Sequence, residues 1–456
     1  METNFADNLP SRLRSIEDTG LTLGSVADMV IKILYTRGVM RAHEISEALK
    51  LPYPGVVEPA LDFLRTEHLI DLRSAADFGD GAIRYMVSRS GRIRVQDLME
   101  RNQYVGPAPV TLEAYTRMVK AQSLLGQTID PGALRRALNH LVLSDDVINQ
   151  IGPAVNSGRS LFIFGHAGNG KTSIGLSLGK LLSGAIWIPY AIDVQGQTIK
   201  VYDPLRHQSA LKKAEEDLAV PVRKGLLSRL HDKPDEADTA AEFIVNESYD
   251  ERWVLVRRPL IVAGGELTLK NLDLVYDSTL KYYEAPQQMK ANGGIFLLDD
   301  LGRQQVSARE ILNRWTIPLE KRVDYLNLSI GYKFDVPFDV LIVFATNLNP
   351  SDLVDESFLR RMRYKVHVTD PTWDEFREIF KREAAKHIVT YSESGMQYLI
   401  DEHYIKANRA PRGVHPRDLL DQLSDIARFR GVAPTMSNDL IDGACRAYFL
   451  QQEKSE

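Results

Sequence analysis

The chain has 456 residues, which corresponds to about three domains at about 150 residues each. Hydrophobic residues make up 44% and charged residues 26%, which excludes a disordered chain or a fibrous repeat. The net charge is only −5, so any binding to nucleic acid or to an anionic membrane must be local. The one cysteine, Cys445, excludes an intramolecular disulfide or a thiolate metal cluster and fits a reducing compartment. There is no secretory signal and no apolar run of about 20 residues, so we predict a cytoplasmic protein without a membrane span.

The segment up to residue 105 has the pattern of a winged helix-turn-helix domain. Apolar residues at helical spacing predict two amphipathic helices between residues 26 and 49, and a third helix between residues 56 and 68. Two short strands are predicted around residues 69–72 and 83–87. Residues 106–150 continue with helical patterns, which we interpret as a connector.

From residue 161 the pattern changes to short, continuous apolar runs. These runs are LFIF (161–164), IFLL (295–298) and VLIVFA (340–345). Each is followed by Gly or a polar residue, as expected of parallel strands buried on both faces. After Pro371 the strand signals stop and four amphipathic segments follow. We therefore predict an α/β fold with a parallel-sheet domain over residues 151–370 and a helical domain over residues 371–456.

The first apolar run leads into GHAGNGKT at residues 165–172, which matches G-x-x-x-x-G-K-[ST]. The glycines allow backbone N–H groups to surround a phosphate, and the following helix adds the positive end of its dipole. We expect Lys171 to reach the β- and γ-phosphates and the Thr172 hydroxyl to hold Mg²⁺. The alternative is a glycine-rich turn with a surface lysine. The predicted nucleotide-binding residues are Gly165, His166, Ala167, Gly168, Asn169, Gly170, Lys171, Thr172 and Ser173.

The other two apolar runs end in residues suited to a metal and a water molecule. The second is followed by Asp299 and Asp300, whose carboxylates would leave the sheet at the edge where α/β proteins bind ligands. We predict that Asp299 binds Mg²⁺ and that Asp300 accepts a proton from the attacking water or orients it. The third run is followed by Asn347, whose amide can contact the γ-phosphate or position the water. Thr-Asn after a strand is, however, more often an ordinary turn.

With these three motifs in order, residues 143–430 resemble the AAA+ ATPases, most closely the MoxR-like branch. Residues 292–303 (NGGIFLLDDLGR) look like the Walker B segment of that family, and residues 318–350 look like its hairpin before sensor 1. The resemblance implies an AAA+ P-loop NTPase core with a helical lid, ATP and Mg²⁺ as cofactors, ATP hydrolysis as the activity, and Asn347 as sensor 1. It also implies a homo-oligomeric ring with a chaperone-like action on a macromolecular partner, with a protein favoured.

The same resemblance gives two arginines a catalytic interpretation. Residues 352–364, which contain FLRRM, are similar to the segment that supplies an arginine finger to the neighbouring subunit; Arg361 matches best, and Arg360 is close behind. Residues 415–420 (HPRDLL) look like the sensor 2 motif, which makes Arg417 the lid's contact to the γ-phosphate. A guanidinium suits the charge on the transferred phosphoryl oxygens. The alternative for each arginine is a solvated position or an ion pair with a nearby acid.

Two departures from the family pattern leave alternatives open. The second Walker B acid is Asp300 where the family has Glu, so a weakly hydrolysing nucleotide switch or scaffold is an alternative function. Residues 173–294 are longer than the minimal core requires and contain a predicted hairpin at 191–203 and a strand-like run at 253–265. Residues 211–251 are predicted to be a mobile insertion. Candidate substrate-gripping aromatic residues in this stretch, each more often a core residue, are Trp253, Tyr282 and Tyr283.

The distribution of charge in the N-terminal segment helps to decide whether its partner is a protein or DNA. The third predicted helix has one basic residue, Arg65, and three acids, which disfavours duplex DNA. These acids are Glu58, Asp62 and Glu67. Residues 81–96, the predicted wing and its tail, have no acid and four arginines: Arg84, Arg89, Arg92 and Arg94. We therefore expect docking to a protein, with a DNA-binding, ATP-controlled regulator that uses the basic wing as the alternative.

Overall fold

The computed structural model describes residues 8–73, 83–125, 128–182, 184–210, 249–353 and 359–449. Most of the predicted mobile insertion at 211–251 lies outside these ranges. Within them, no helix has the length and apolar character needed to cross a membrane.

The described residues form the following helices and strands. The helices are α1 Ile16–Thr19, α2 Leu23–Arg37, α3 Ala42–Leu49, α4 Glu58–Thr66, α5 Arg89–Arg101, α6 Leu112–Ala121, α7 Pro131–Leu138, α8 Asp145–Asn156, α9 Lys171–Leu181, α10 Gln287–Lys290, α11 Ala308–Arg314, α12 Thr316–Lys321, α13 Pro350–Leu353, α14 Trp373–Lys386, α15 Glu393–Tyr398, α16 His415–Arg430 and α17 Asn438–Tyr448. The strands are β1 Met40–Arg41, β2 Ile70–Arg73, β3 Arg84–Val87, β4 Val110–Thr111, β5 Ser160–Phe164, β6 Ala185–Pro189, β7 Ala191–Val194, β8 Gln197–Lys200, β9 Trp253–Arg257, β10 Leu260–Ala263, β11 Val275–Asp277, β12 Tyr282–Glu284, β13 Ile295–Leu298, β14 Val323–Asn327, β15 Lys333–Pro337, β16 Leu341–Thr346 and β17 Tyr364–His367.

The N-terminal segment contains the three helices and the two strands predicted for it. Helices α2, α3 and α4 bury their apolar faces in one core, which includes Val30, Ile45 and Leu61. The strands form a small antiparallel sheet in the order β1-β3-β2. The sequence did not predict β1, because a two-residue strand is too short to show periodicity. The predicted tail of the wing is helical, because Arg89, Arg92 and Arg94 belong to α5.

A five-stranded parallel sheet in the order β10-β13-β16-β5-β17 forms the α/β core. Its three central strands are the three predicted apolar runs, and every residue of β13 and β16 is buried. Helices α7, α8 and α9 cover one face, and α11 with Trp315 covers the other. The predicted α/β class with buried parallel strands is therefore confirmed.

A second sheet has the order β11-β12-β8-β7-β4; four of its strands come from the long stretch between β5 and β13, and β4 comes from the connector. Its β7–β8 hairpin turns at Gln195 and Gly196, both with positive φ (53° and 75°), as predicted. The strand-like run at 253–265 is two strands in different sheets, because β9 pairs with β6 and β10 joins the core. Trp253 and Tyr283 are 5% and 2% exposed, so their interpretation as substrate-gripping residues is wrong.

The N-terminal segment is fixed to this second sheet by a buried ion pair. The guanidinium of Arg252, 3% exposed, donates to Asp250 at 2.8 Å and to the carbonyl oxygens of Thr19 at 2.9 Å and Pro109 at 3.1 Å. A buried charge is stable only when it is paired and hydrogen-bonded, and this arginine satisfies both conditions. The three carbonyl and carboxylate partners come from three separate segments, which the arginine therefore joins.

The C-terminal helices pack around their own apolar core. Phe376 and Phe380 of α14 contact α16 and α17 through residues such as Leu420 and Ile441. Burial raises the pKa of Cys445 to about 12, so the thiol is protonated near neutral pH.

Candidate active site

Three glycines shape the loop between β5 and α9. Gly165, Gly168 and Gly170 have φ values of 144°, 84° and 81°. A Cβ at Gly165 would lie 2.2 Å from the carbonyl oxygen of Val368, so this position excludes a side chain on steric grounds as well. Helix α9 begins at Lys171 immediately after the loop, and its unpaired N–H groups therefore point toward it.

The Lys171 side chain folds back over the loop. Its ammonium donates to the carbonyl oxygens of Gly165 at 2.9 Å and His166 at 2.7 Å. Burial lowers the pKa of Lys171, while the nearby Asp300 and Asp299 carboxylates oppose this shift. The lysine charge is thus held at the loop, where a phosphate would bind.

Polar residues near the ends of the three central strands meet in two pairs. The Thr172 hydroxyl lies 2.9 Å from each carboxylate oxygen of Asp299. The Asn347 amide donates to Asp300 at 3.1 Å. A hydroxyl beside a carboxylate is an oxygen-only donor set, which fits a hard cation such as Mg²⁺.

These groups line one cavity of about 610 Å³. Its polar lining includes Lys171, Thr172, Asp299, Asp300, Arg303, Asn347, Arg382 and Arg417, with the loop residues Ala167, Gly168, Asn169, Gly170 and Ser173. Its apolar lining includes Leu141, Val142, Leu143, Val147, Val368, Ile379 and Val414. Gly165 and His166 shape the loop but do not line the cavity. The sequence did not predict the apolar lining, because its residues come from the connector, the end of β17 and the helical domain, which only tertiary structure brings together.

A polar cluster, which we call the lid latch, joins the phosphate loop to the helical domain; it consists of Asn169, Asp370 and Arg412. The Asn169 amide donates to Asp370 at 2.7 Å, and its oxygen accepts from the backbone N–H of Gly413 at 3.1 Å. Asp370 also contacts Arg412 and the ring of His166. Burial acts to raise the pKa of Asp370, but these hydrogen bonds outweigh it and lower the pKa overall.

The two predicted catalytic arginines lie in different places. Arg417 lines the cavity and donates to Asp418 at 2.9 Å, and this carboxylate raises the pKa of Arg417. Arg361 does not line the cavity of its own chain among the described residues; it forms an ion pair with Glu320 of α12. Arg360 beside it is exposed, and residues 354–358 of the same predicted segment lie outside the described residues.

Fold and site together define an α/β protein whose parallel sheet carries a phosphate-binding loop of the P-loop pattern, with a C-terminal helical domain. The phosphate loop, the Asp299–Asp300 pair and Asn347 follow three adjacent parallel strands, and residues of the helical domain contribute to the lining of the cavity.

Comparisons with known proteins find one family model for the helical domain and solved structures of low similarity that cover more of the chain. Residues 372–447, within the helical domain, match a family model described as a domain of unknown function (DUF8689). A search of curated proteins gives no match. Among solved structures, NtrX from Brucella abortus is similar at 13% identity and a TM-score of 0.37, covering 77% of this chain and 57% of that one. The Holliday junction branch migration motor RuvB of Thermotoga maritima is similar at 10% identity and a TM-score of 0.36, covering 67% and 69%. This chain thus spans little more than half of the NtrX chain, and similarities this low do not assign a function.

Proposed function

We propose that this protein is a Mg²⁺-dependent AAA+ ATPase of the MoxR-like type that converts ATP and water to ADP and phosphate. One observation carries the proposal. The Thr172 hydroxyl lies 2.9 Å from both oxygens of Asp299, in a cavity that also contains the phosphate loop and the Asp300–Asn347 pair. A structural glycine turn would not require these carboxylates and this amide to converge on it.

Each polar group then has a role that follows from its chemistry. The loop amides and Lys171 would bind the phosphates, and Thr172 and Asp299 would hold Mg²⁺, which would supply positive charge to the phosphoryl groups. Asp300 accepts a proton from the attacking water, and Asn347 keeps the Asp300 carboxylate oriented. Arg417 contacts the γ-phosphate from the helical domain. The apolar residues of the cavity lining would pack against the flat ring of the adenine base.

We further propose that the machine acts on a protein partner through its N-terminal winged helix, as a homo-oligomeric ring with a chaperone-like action. Helix α4 exposes Glu58 and Asp62, and Arg65 is paired with Asp62 at 3.1 Å, so this face offers little positive charge to DNA phosphates. Arg89 and Arg92 on α5 are exposed and could contact DNA phosphates, so DNA is the second candidate partner.

Substitution of the phosphate-loop lysine tests the proposal. Lys171→Ala should weaken Mg²⁺-ATP binding about a hundredfold in calorimetry, because it removes a charge-assisted contact to two phosphates. Lys180→Ala is the matched control, since Lys180 is exposed at the other end of the same helix and should leave affinity unchanged. Unchanged ATP affinity in a folded Lys171→Ala protein would contradict the assignment.

A further inference from the structure

The loop after β13 is held in one conformation by hydrogen bonds from the Gln304 side chain and from the Leu301 backbone. The Gln304 side chain donates to the carbonyl oxygens of Asp299 at 3.1 Å, Asp300 at 3.3 Å and Gly264 at 3.3 Å. Leu301, 1% exposed, donates to Ala345 at 2.8 Å through its N–H. The loop is therefore fastened to both neighbouring strands.

This conformation costs backbone strain and turns the chain back toward the cavity. Asp300 has a φ of 51° and Gly302 a φ of 102°, so two of three consecutive residues have positive φ. The N–H of Arg303 donates to the carbonyl oxygen of Asp300 at 3.0 Å, which closes the turn. As a result, Arg303 lines the cavity together with Asp300 and Asn347.

Among the described residues, Arg303 differs from the two other arginines that line the cavity, Arg382 and Arg417, because its side chain has no hydrogen-bond or ion-pair partner. Arg417 is bound to Asp418, and that carboxylate also accepts from the Tyr448 hydroxyl at 3.0 Å. The Arg303 side chain, by contrast, has neither a hydrogen bond nor an ion pair within the described ranges. Its charge is therefore available to an anion in the cavity.

The charges around the cavity favour the same conclusion. Asp299 and Asp300 bring two negative charges next to the phosphate loop, and Lys171 offsets only one of them. Arg417 and Arg382 also line the cavity, but their charges are offset by Asp418 and Glu378. Arg303 adds a further positive charge, on a planar group that matches two phosphate oxygens at once.

We propose that Arg303 binds the γ-phosphate of ATP within its own subunit, in addition to the contacts expected of Lys171, Asn347 and Arg417. The proposal rests on the ATPase function proposed above and identifies one more residue of the same site.

The test compares two nucleotides that differ at the γ-position, measured by calorimetry with Mg²⁺. Arg303→Ala should weaken binding of the slowly hydrolysed analogue ATPγS about tenfold and leave ADP affinity within about twofold, because only ATPγS has the third phosphorus group. Arg303→Lys should recover part of the loss. Arg117→Ala is the control, because Arg117 is exposed on α6 away from the cavity lining and should change neither affinity.

The outcomes separate this assignment from the function on which it rests. If Arg303→Ala binds ATPγS as tightly as wild type, or loses ATPγS and ADP affinity equally, the assignment to the γ-phosphate is wrong while the ATPase proposal stands. If wild-type protein binds neither nucleotide, both are wrong. If Arg303→Ala and wild type have the same unfolding temperature in the absence of nucleotide, the change in affinity reflects a lost contact and not a lost fold.

Discussion

The backbone at Asp300 offers a physical reason why this position is Asp and not Glu. Its φ of 51° lies in the left-handed region, where Asp occurs far more often than a longer acid such as Glu. The same turn presents the Asp300 carbonyl oxygen to Arg303 and Gln304, so the conformation belongs to the loop and not to the side chain alone. The shorter acid is thus matched to its backbone, which weakens the argument for a switch that barely hydrolyses ATP.

Substitutions at Asp300 test this interpretation. Asp300→Asn should retain ATP binding but lose about a hundredfold or more in turnover, because an amide cannot accept the proton of the attacking water. Asp300→Glu should be no faster than wild type and less stable by about 0.5–1 kcal/mol, because Glu is less suited to a positive φ. Steady-state phosphate release and chemical unfolding measure these effects. A large rate increase in Asp300→Glu would instead support the nucleotide switch.

Residues that directly follow the apolar runs could be predicted to share one edge of the sheet, whereas residues brought in by turns could not. Thr172 meets Asp299 because both lie at the carboxyl edge of one parallel sheet, although β16 separates their two strands. Arg303 lies only three residues beyond Asp300, yet its direction depends on two positive φ values that no apolar pattern encodes.

At the scale of elements, the lid latch connects the phosphate loop directly to the helical domain. Asn169 belongs to the loop, Asp370 lies between β17 and α14, and Arg412 precedes α16. Hydrogen bonds therefore join the phosphate loop directly to the helical domain. Because the folded state lowers the pKa of Asp370, this carboxylate stabilises the fold above its unfolded pKa, and the contribution is lost as the pH falls through the lowered value.

Removing the charge of the latch should have a pH-dependent cost. Asp370→Asn should lose about 1–2 kcal/mol of stability at pH 7, and the difference from wild type should shrink below about pH 4, where the wild-type carboxylate also becomes protonated. Asp374→Asn is the control, because the Asp374 side chain is 98% exposed. Urea unfolding at pH 7 and at pH 3 gives the comparison; an equal difference at both pH values would contradict a role for the charge.

Elements with a continuous apolar pattern were predictable, and those defined by pairing alone were not. Strand β13 matches the predicted run IFLL because all of its side chains are buried. Strand β17, at the sheet edge, buries only Val366, so its sequence carries no strand signal. The hairpin β7–β8 was predictable because its turn needs Gly196, whereas pairing of β9 with β6 depends on contacts far apart in sequence.

At the scale of the whole molecule, the N-terminal segment packs against the described residues between the phosphate loop and Asp299. Arg252 joins Asp250 to Thr19 and Pro109, and Asn102 donates to Thr198 at 3.0 Å. Residues 198 and 250–252 both lie in the chain between β5, which leads into the phosphate loop, and β13, which leads into Asp299. Hydrogen bonds and packed side chains therefore connect the N-terminal segment to the part of the chain that joins these two core strands.

Substitution of Arg361 tests whether neighbouring subunits complete each other's nucleotide sites. Among the described residues, Arg361 lies outside the cavity lining of its own chain. If a neighbouring subunit supplies this arginine, Arg361→Ala should bind ATP with near wild-type affinity and lose about a thousandfold in turnover. Turnover per subunit of wild type should also rise with protein concentration. Mixing Arg361→Ala with Lys171→Ala should restore part of the activity, because a Lys171→Ala subunit still presents Arg361 to the intact site of its neighbour. Arg363→Ala is the control, since Arg363 is exposed nearby and is not expected to contact nucleotide. Full turnover in Arg361→Ala, or no recovery on mixing, would exclude this arrangement.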